Sequence, residues 1–383
     1  LSLYFVIGSA RGGAVILADV LIICGGTGGH LSPGIALAEE LKSRDFSSIL
    51  CISQKSIDTA IVSKYGHIDF ERFSGKGFAG GLLGKLMFFQ QLISSFPKIL
   101  GIIQKKKPKV LVLFGGYLSV GFGLMSILLN VPFVLHEANG KVGKAVRLLQ
   151  AFACRIYLPK SVLVKDIKKS KIRYVGYPLR KEMVVLDKIE ARRQLGLDCE
   201  GTLLVVIGGS QGAQVLNKWV IDHFERLIEE GVSIYCISGL NNGLESHDVS
   251  KNIRGESVTI KMVPFSNNMA AVLSAADLVI SRAGAGAIAE ITRCKVPSIL
   301  VPYPYAADNH QYFNAKIHES LGGGILLEEN SIEGLYEEIR VLISNHSLLE
   351  QINLNLMTLN AVNAAEVMVD DLQSIIREKT NGL

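Results

Sequence analysis

The sequence predicts an α/β protein made of two similar doubly wound units, each with a mostly parallel sheet. Three observations predict it. Short β-rich apolar runs alternate with stretches of helical periodicity, the alternation restarts after residue 177, and each half opens with a strand that runs straight into a glycine-rich turn and a helix. A length of 383 residues exceeds one typical domain and suits two. With 49% hydrophobic and 20% charged residues, the chain has apolar material for two cores and does not have the composition of a disordered protein.

The first half reads in order. Residues 19–24 (DVLIIC) form a strand, 25–30 a turn, and 33–43 a helix with Pro33 near its first turn and Leu37 and Leu41 four apart. Strands follow at 49–53, 110–114 and 131–136. The uncharged run 110–134 is long enough to span a bilayer. Gly115, Gly116, Gly121, Asn130 and Pro132 interrupt it, so it reads as strand, glycine turn, helix and strand. In the second half, strands are predicted at 202–207, 233–238, 258–263, 277–281 and 297–301, with helices at 215–230 and 285–293. The linker falls at 175–179 (VGYPL), where Gly and Pro mark a break. This places one unit at 1–177 and a second at 178–364. The tail from 345 is helical, and its last helix, about 365–383, is expected to pack back on the first unit.

Charge divides along the same line. Residues 1–177 hold 23 Lys and Arg against 9 Asp and Glu, a net +14; the remainder hold 17 against 26, a net −9. A basic unit beside an acidic one implies different partners, and the basic half suits nucleic acid or an anionic membrane. The six cysteines, Cys24, Cys51, Cys154, Cys199, Cys236 and Cys294, form no CxxC pair and have no histidine at metal-ligand spacing, so reduced thiols are expected. Residues 1–18 are apolar but lack a basic start and carry Arg11 in mid-run, so no secretory signal is expected.

Turns at strand ends carry the candidate chemistry. The turn Gly25-Gly26-Thr27-Gly28-Gly29-His30 lets backbone N–H groups at a helix start approach an anion, and it suits a diphosphate. It is neither a P-loop nor GxGxxG. His30 at its lip is either a general base or a local hydrogen-bond partner. Gly115-Gly116-Tyr117 and His136-Glu137-Ala138-Asn139 end two further strands and should line the same crevice. For Glu137 and Asn139, ordinary loop hydrogen bonding is as good a reading as ligand contact. Gly208-Gly209-Ser210-Gln211-Gly212-Ala213 repeats the design as a second anion site.

The run from Arg282 to Glu290 (RAGAGAIAE) is a third glycine turn, where Glu290 either bridges ribose hydroxyls or is a solvated helix charge. Asp308-Asn309-His310-Gln311 suits sugar hydroxyls or simply caps a helix. The segment 75–89 (GKGFAGGLLGKLMFF), with Lys76 and Lys85 and the later run of Lys105, Lys106 and Lys107, is either a membrane-surface face or a core helix.

Taken together, GGTGGH, HEAN, GGSQGA, RAGAGAIAE and DNHQ, in this order and spacing over residues 20–380, resemble the MurG family of glycosyltransferases. The resemblance implies the GT-B fold, two facing Rossmann-like units with the acceptor site mainly in the first and the donor site mainly in the second. It implies inverting transfer of N-acetylglucosamine from UDP-N-acetylglucosamine to the C4 hydroxyl of N-acetylmuramic acid in an undecaprenyl-diphosphate-linked pentapeptide. No cofactor or metal is expected, because no DxD-like pair is placed to hold one. Peripheral attachment to the cytoplasmic face of the inner membrane, a lipid-linked diphosphate acceptor and candidate partners in cell-wall synthesis are implied, and nucleic acid is not.

Residue by residue, Thr27, Gly28, Gly29, Asn139, Arg180, Ser210, Ser266, Ala285, Gly286, Ala287, Ile288, Ala289, Glu290 and Gln311 match donor positions. Glu290 would hold the ribose and Gln311 the sugar, while Ser266 would act through main chain. Gly25, Gly26, Gly115, Gly116, Tyr117 and Glu137 are the acceptor-side candidates, with His30 as base. Ala138 and His310 depart from the family pattern, which often has Gln there, and residues 1–18 have no counterpart in it. A non-hydrolysing UDP-sugar epimerase, a diacylglycerol glycosyltransferase and a non-catalytic nucleotide-binding module rank below this reading.

Overall fold

The computed structural model describes residues 17–25, 28–74, 81–160, 162, 167–209, 212–240, 247–253, 256–359 and 363–381. The first unit runs β1 (Val20–Ile23), α1 (Gly28–Ser43), β2 (Ser48–Ser53), α2 (Ser56–Val62), β3 (Asp69–Phe73), α3 (Gly81–Lys106), β4 (Val110–Leu113), α4 (Gly116–Leu128), β5 (Phe133–His136), α5 (Lys144–Leu149), β6 (Arg155–Leu158) and β7 (Ile172–Tyr174). The second begins with α6 (Lys188–Leu195), β8 (Thr202–Ile207), α7 (Gln214–Glu229), β9 (Val232–Ile237), β10 (His247–Ile253), β11 (Glu256–Val263) and α8 (Met269–Ala275). It continues through β12 (Leu278–Ser281), α9 (Ala285–Cys294), β13 (Ser298–Leu300), α10 (His310–Ser320), β14 (Gly324–Leu326), α11 (Leu335–Ser344) and α12 (His346–Leu359), and the chain then forms α13 (Ala364–Asn381).

Two seven-stranded sheets result, ordered β3-β2-β1-β4-β5-β6-β7 and β10-β11-β9-β8-β12-β13-β14. The predicted α/β class and its two doubly wound sheets are observed. Every pairing is parallel except β10 with β11, which is antiparallel and caps one edge. β1 and β8 are near-continuous apolar strands because both sheet faces are covered: Val20 to Ile23 are fully buried, and Leu204 and Val205 likewise. In each sheet the strand order reverses once, between β1 and β4 and between β8 and β12. Ligands of such sheets bind outside the strand carboxyl ends at this reversal. The chain puts Gly25 and Gly115 at the first reversal and Gly208 and Gly284 at the second.

The run 110–134 forms β4, α4 and β5, as expected from its glycines. Helix α1 starts at Gly28, five residues before the predicted start, and keeps Pro33 inside. β3, β6, β7, β10 and β14 were not predicted: β3 and β10 are polar edge strands, β6 has only four residues, and β7 and β14 have three each. Helix α13 crosses back to the first sheet, where Met368, Val369 and Leu372 are fully buried against Val20, Ile22 and Leu41. Tyr157, itself buried, donates to Asp371 Oδ2 at 2.9 Å, and Arg155 and Arg173 flank that carboxylate.

Candidate active site

The two sets of strand ends face each other across a cleft, and contacts cross it on both sides. On one side, Lys64 after α2 donates to Asn267 Oδ1 at 2.6 Å, and the Tyr65 hydroxyl donates to Glu182 Oε1 at 3.0 Å. On the other, the Asn314 carboxamide of α10 accepts from Gly140 N at 2.7 Å and donates to Asn139 Oδ1 at 3.2 Å and to Ala283 O at 3.0 Å. Lys141 donates to the carbonyl of Asp308 at 3.1 Å.

His30 stands in the first turn of α1, half-buried, with the Gly115–Gly116 pair against its ring. Both glycines have positive φ, +95° and +74°, and a Cβ on either would lie 3.3 Å from an imidazole nitrogen. They therefore turn the chain sharply at the end of β4 and leave room for the ring. Burial, with His310 from the second unit adding to it and Asp58 opposing, lowers the His30 pKa to about 4. The imidazole is neutral at pH 7 and able to accept a proton. Behind it, buried His136 is also pushed down to about 4, by burial first, and lies 3.4 Å from the Gly176 carbonyl.

The start of α9 is built mostly by small residues, and Ala285 to Glu290 are all partly exposed, with Ile288 turned to the core. Gly284, extended, leads into the helix. Glu290 lies on the second turn, 3.7 Å from Arg180 Nη2, while Arg180 Nη1 reaches Glu182 Oε1 at 2.7 Å and donates to the Tyr65 hydroxyl at 3.1 Å. Burial raises Glu290 to about 7; Arg180 opposes the shift and Glu182 adds to it.

Other candidates have structural duties. Gly25 sits where a Cβ would lie 2.3 Å from Ser53 N, so packing alone requires glycine there. Glu137 accepts from Asn139 N at 3.0 Å, Asn139 Nδ2 at 2.9 Å and Gly143 N at 2.7 Å. Both of its oxygens thus organise their own loop, the local hydrogen bonding that was one of the two readings of Glu137. Tyr117 is half-buried and hydrogen-bonded to Ser53. Ser266 Oγ accepts from Asn268 N at 3.2 Å in the loop after β11. Gln311 Oε1 accepts from Tyr303 N at 2.9 Å, which pins the loop before α10. Gly26, Thr27 and Ser210 lie outside the described residues. Among the described residues no group of three or more His, Cys, Asp or Glu is arranged to hold a metal.

The structure thus brings His30, Gly29, Gly115, Gly116, Asn139, Arg180 and Glu290 to the cleft. Sequence reasoning missed Tyr65, Glu182, Asn314 and Tyr177. Only Asn314, one helical turn after Gln311, and Tyr177, inside the segment with Arg180, carried a positional signal.

Residues 20–158 match the Glycosyltransferase family 28 N-terminal domain, and residues 203–368 match the Glycosyltransferase family 28 C-terminal domain. A relative from Opitutus terrae, UDP-N-acetylglucosamine--N-acetylmuramyl-(pentapeptide) pyrophosphoryl-undecaprenol N-acetylglucosamine transferase, is 40% identical over 94% of this chain and 96% of its own. The chain belongs to glycosyltransferase family 28. A Thermoanaerobacter relative of the same name is 31% identical over 92% of this chain and 98% of its own. The crystal structure of Acinetobacter baumannii MurG superposes with a TM-score of 0.70 at 21% identity, covering 93% of this chain and 99% of that one. The kitacinnamycin glycotransferase does so with 0.69 at 13% identity, over 94% and 99%. Both structural likenesses speak for the fold, which is GT-B. Family 28 membership makes the chain a glycosyltransferase and sets the epimerase and the non-catalytic binding module aside.

Proposed function

We propose that this family 28 enzyme transfers N-acetylglucosamine from UDP-N-acetylglucosamine to the C4 hydroxyl of N-acetylmuramic acid in undecaprenyl-pyrophosphoryl-muramyl-pentapeptide, a step of peptidoglycan synthesis. The carrying observation is that glycine turns at the reversal points of both sheets oppose each other across one cleft, in a chain with 40% identity over 94% of its length to a transferase so named. The N–H groups at the start of α9 would hold the departing UDP diphosphate, with Ser210 contributing from the β8 turn. Glu290 would take the ribose hydroxyls and Gln311 the sugar. Gly25 and Gly26 of the first turn, with the Gly115-Gly116-Tyr117 turn, would hold the acceptor diphosphate, while Thr27, Gly28 and Gly29 would reach towards the donor.

In the reaction the acceptor oxygen bonds to the anomeric carbon, the bond from that carbon to the β-phosphate oxygen breaks, and UDP leaves. The hydroxyl proton passes to neutral His30, and the product linkage is β-1,4. Closed lobes would align the substrates and exclude water.

Attachment to a membrane surface, which the family resemblance would put on the cytoplasmic side, is supported by α3. Over Leu86–Lys106 that helix is apolar and long enough to span a bilayer. Its far end instead packs into the first core through Ile99, Ile102 and Ile103, while Leu86, Met87, Phe89 and Ile93 are more than half exposed. Phe88, singled out with them in the sequence, is half-buried, and residues 75–80 lie outside the described residues. An apolar face in a unit with a net +14 charge suits an anionic bilayer surface.

The test is incubation with labelled UDP-N-acetylglucosamine and a lipid-linked muramyl-pentapeptide acceptor, with and without chelator. Acceptor-dependent UDP release and a disaccharide product, both insensitive to chelator, are expected. UDP-sugar interconversion without acceptor, or transfer to diacylglycerol, would refute the reading.

A further inference from the structure

We propose that Tyr177 is a positioning residue for the transfer: its hydroxyl ties the turn that carries His30 to the start of α9. The inference rests on the transferase reading above and adds to it a residue that no part of that reading uses.

A helical residue donates its N–H to the carbonyl four residues back, and proline has none to give. Because Pro33 lies inside α1, the carbonyl of Gly29 loses its intrahelical donor. The Tyr177 hydroxyl donates to that carbonyl at 3.1 Å and is also hydrogen-bonded to Ser32. Tyr177 belongs to neither helix; it lies in the segment between the two sheets.

On its other side the phenol lies against the first turn of α9. A Cβ on Gly286 would fall 2.9 Å from the Tyr177 oxygen and 3.2 Å from its ring carbon Cζ, so glycine at 286 makes room for this ring. Glu290, one turn further along, is close enough to act on the phenol electrostatically. One side chain therefore bonds the residue next to His30 and rests on the helix start proposed to hold the leaving diphosphate. Reactions that join two bound partners lose rate steeply when the partners are misplaced by an ångström or so. A strut between the two turns acts on that distance without touching either substrate.

The experiment compares steady-state kinetics, UDP affinity and thermal stability for the wild type, Tyr177→Phe and the double variant Pro33→Ala/Tyr177→Phe. Tyr177→Phe keeps the ring and removes the hydroxyl. Its kcat is expected to fall by about tenfold, the scale of one positioned hydrogen bond. The KM for donor and the Kd for UDP should stay within about twofold, the signature of lost alignment rather than lost binding. The double variant restores an N–H to the Gly29 carbonyl but not the link to α9, and it should remain as slow as Tyr177→Phe.

A Tyr177→Phe enzyme within about twofold of wild-type kcat overturns the proposal. So does a double variant that recovers wild-type kcat, because the hydroxyl would then serve only the α1 carbonyl, and so does a loss of stability or UDP affinity with kcat intact. If the wild type itself fails to transfer, the transferase reading falls first and takes the strut with it.

Discussion

At neutral pH His30 is an uncharged imidazole with one ring nitrogen free of a proton, because burial and the neighbouring His310 lower its pKa to about 4. Deletion of such a base costs on the order of 10²–10⁴-fold. His30→Ala should lose kcat on that scale in the transfer assay with UDP affinity unchanged; near-full turnover would remove His30 from the mechanism. Glu290 titrates elsewhere. Its pKa is raised to about 7, so the free enzyme holds the protonated form below that pH and the carboxylate above it. Only the carboxylate accepts from two ribose hydroxyls. The kcat/KM for donor should therefore rise as pH increases through about 7, and Glu290→Gln should flatten that rise. An unchanged profile in the variant would assign the ionisation to another group. At this scale the sequence was legible in part. His30 and Glu290 stood out from their glycine contexts, and the local loop bonds of Glu137 were one of its two readings, but the Tyr65 and Glu290 partners of Arg180 come from chain far apart in number, which spacing does not reveal.

Helices act through the faces they bury. Leu372 of α13 is fully buried against the first sheet, and truncating such a leucine costs about 2–5 kcal/mol. Leu372→Ala should lower the unfolding midpoint in chemical denaturation; an unchanged midpoint would mean α13 contributes little to the first core. The return of this helix was anticipated only as a general habit of two-lobed proteins, and its pairing with Tyr157, Arg155 and Arg173 had no sequence signal. For α3, Leu86→Glu/Phe89→Glu should sharply reduce co-sedimentation with anionic vesicles while leaving the fold intact. Retained vesicle binding would place the membrane face elsewhere. The long apolar strands were readable because burial on both faces forces continuous Val, Leu and Ile. Edge strands such as β3 (DFERF) and β10 (HDVSKNI) were not, since one exposed side or edge lets polar residues in.

For the whole molecule, two buried histidines outside the reacting centre tie stability to pH. His136 and His318 are 2% and 3% exposed, and burial lowers each pKa from the ordinary 6.5 to about 4. Between those values the unfolded chain binds protons that the folded chain refuses. Stability should therefore fall as pH drops from about 6.5 towards 4, by up to about 1.4 kcal/mol per pH unit for each histidine. Denaturation midpoints measured across that range check it, and a flat dependence would contradict the burial argument. The two-unit organisation was legible because the strand–glycine–helix pattern occurs twice. The cleft was legible only as an inference from strand ends, and the Lys64, Asn314 and Tyr177 links that span it were not.

The central claim is that two opposed helix starts hold two diphosphates in one cleft. A crystal structure with UDP and a soluble analogue of the lipid-linked acceptor tests it most directly. The account predicts the UDP diphosphate at the start of α9 with its ribose on Glu290, and the acceptor diphosphate at the start of α1 beside His30. UDP seated at the α1 turn, or either diphosphate bound outside the cleft, would contradict it.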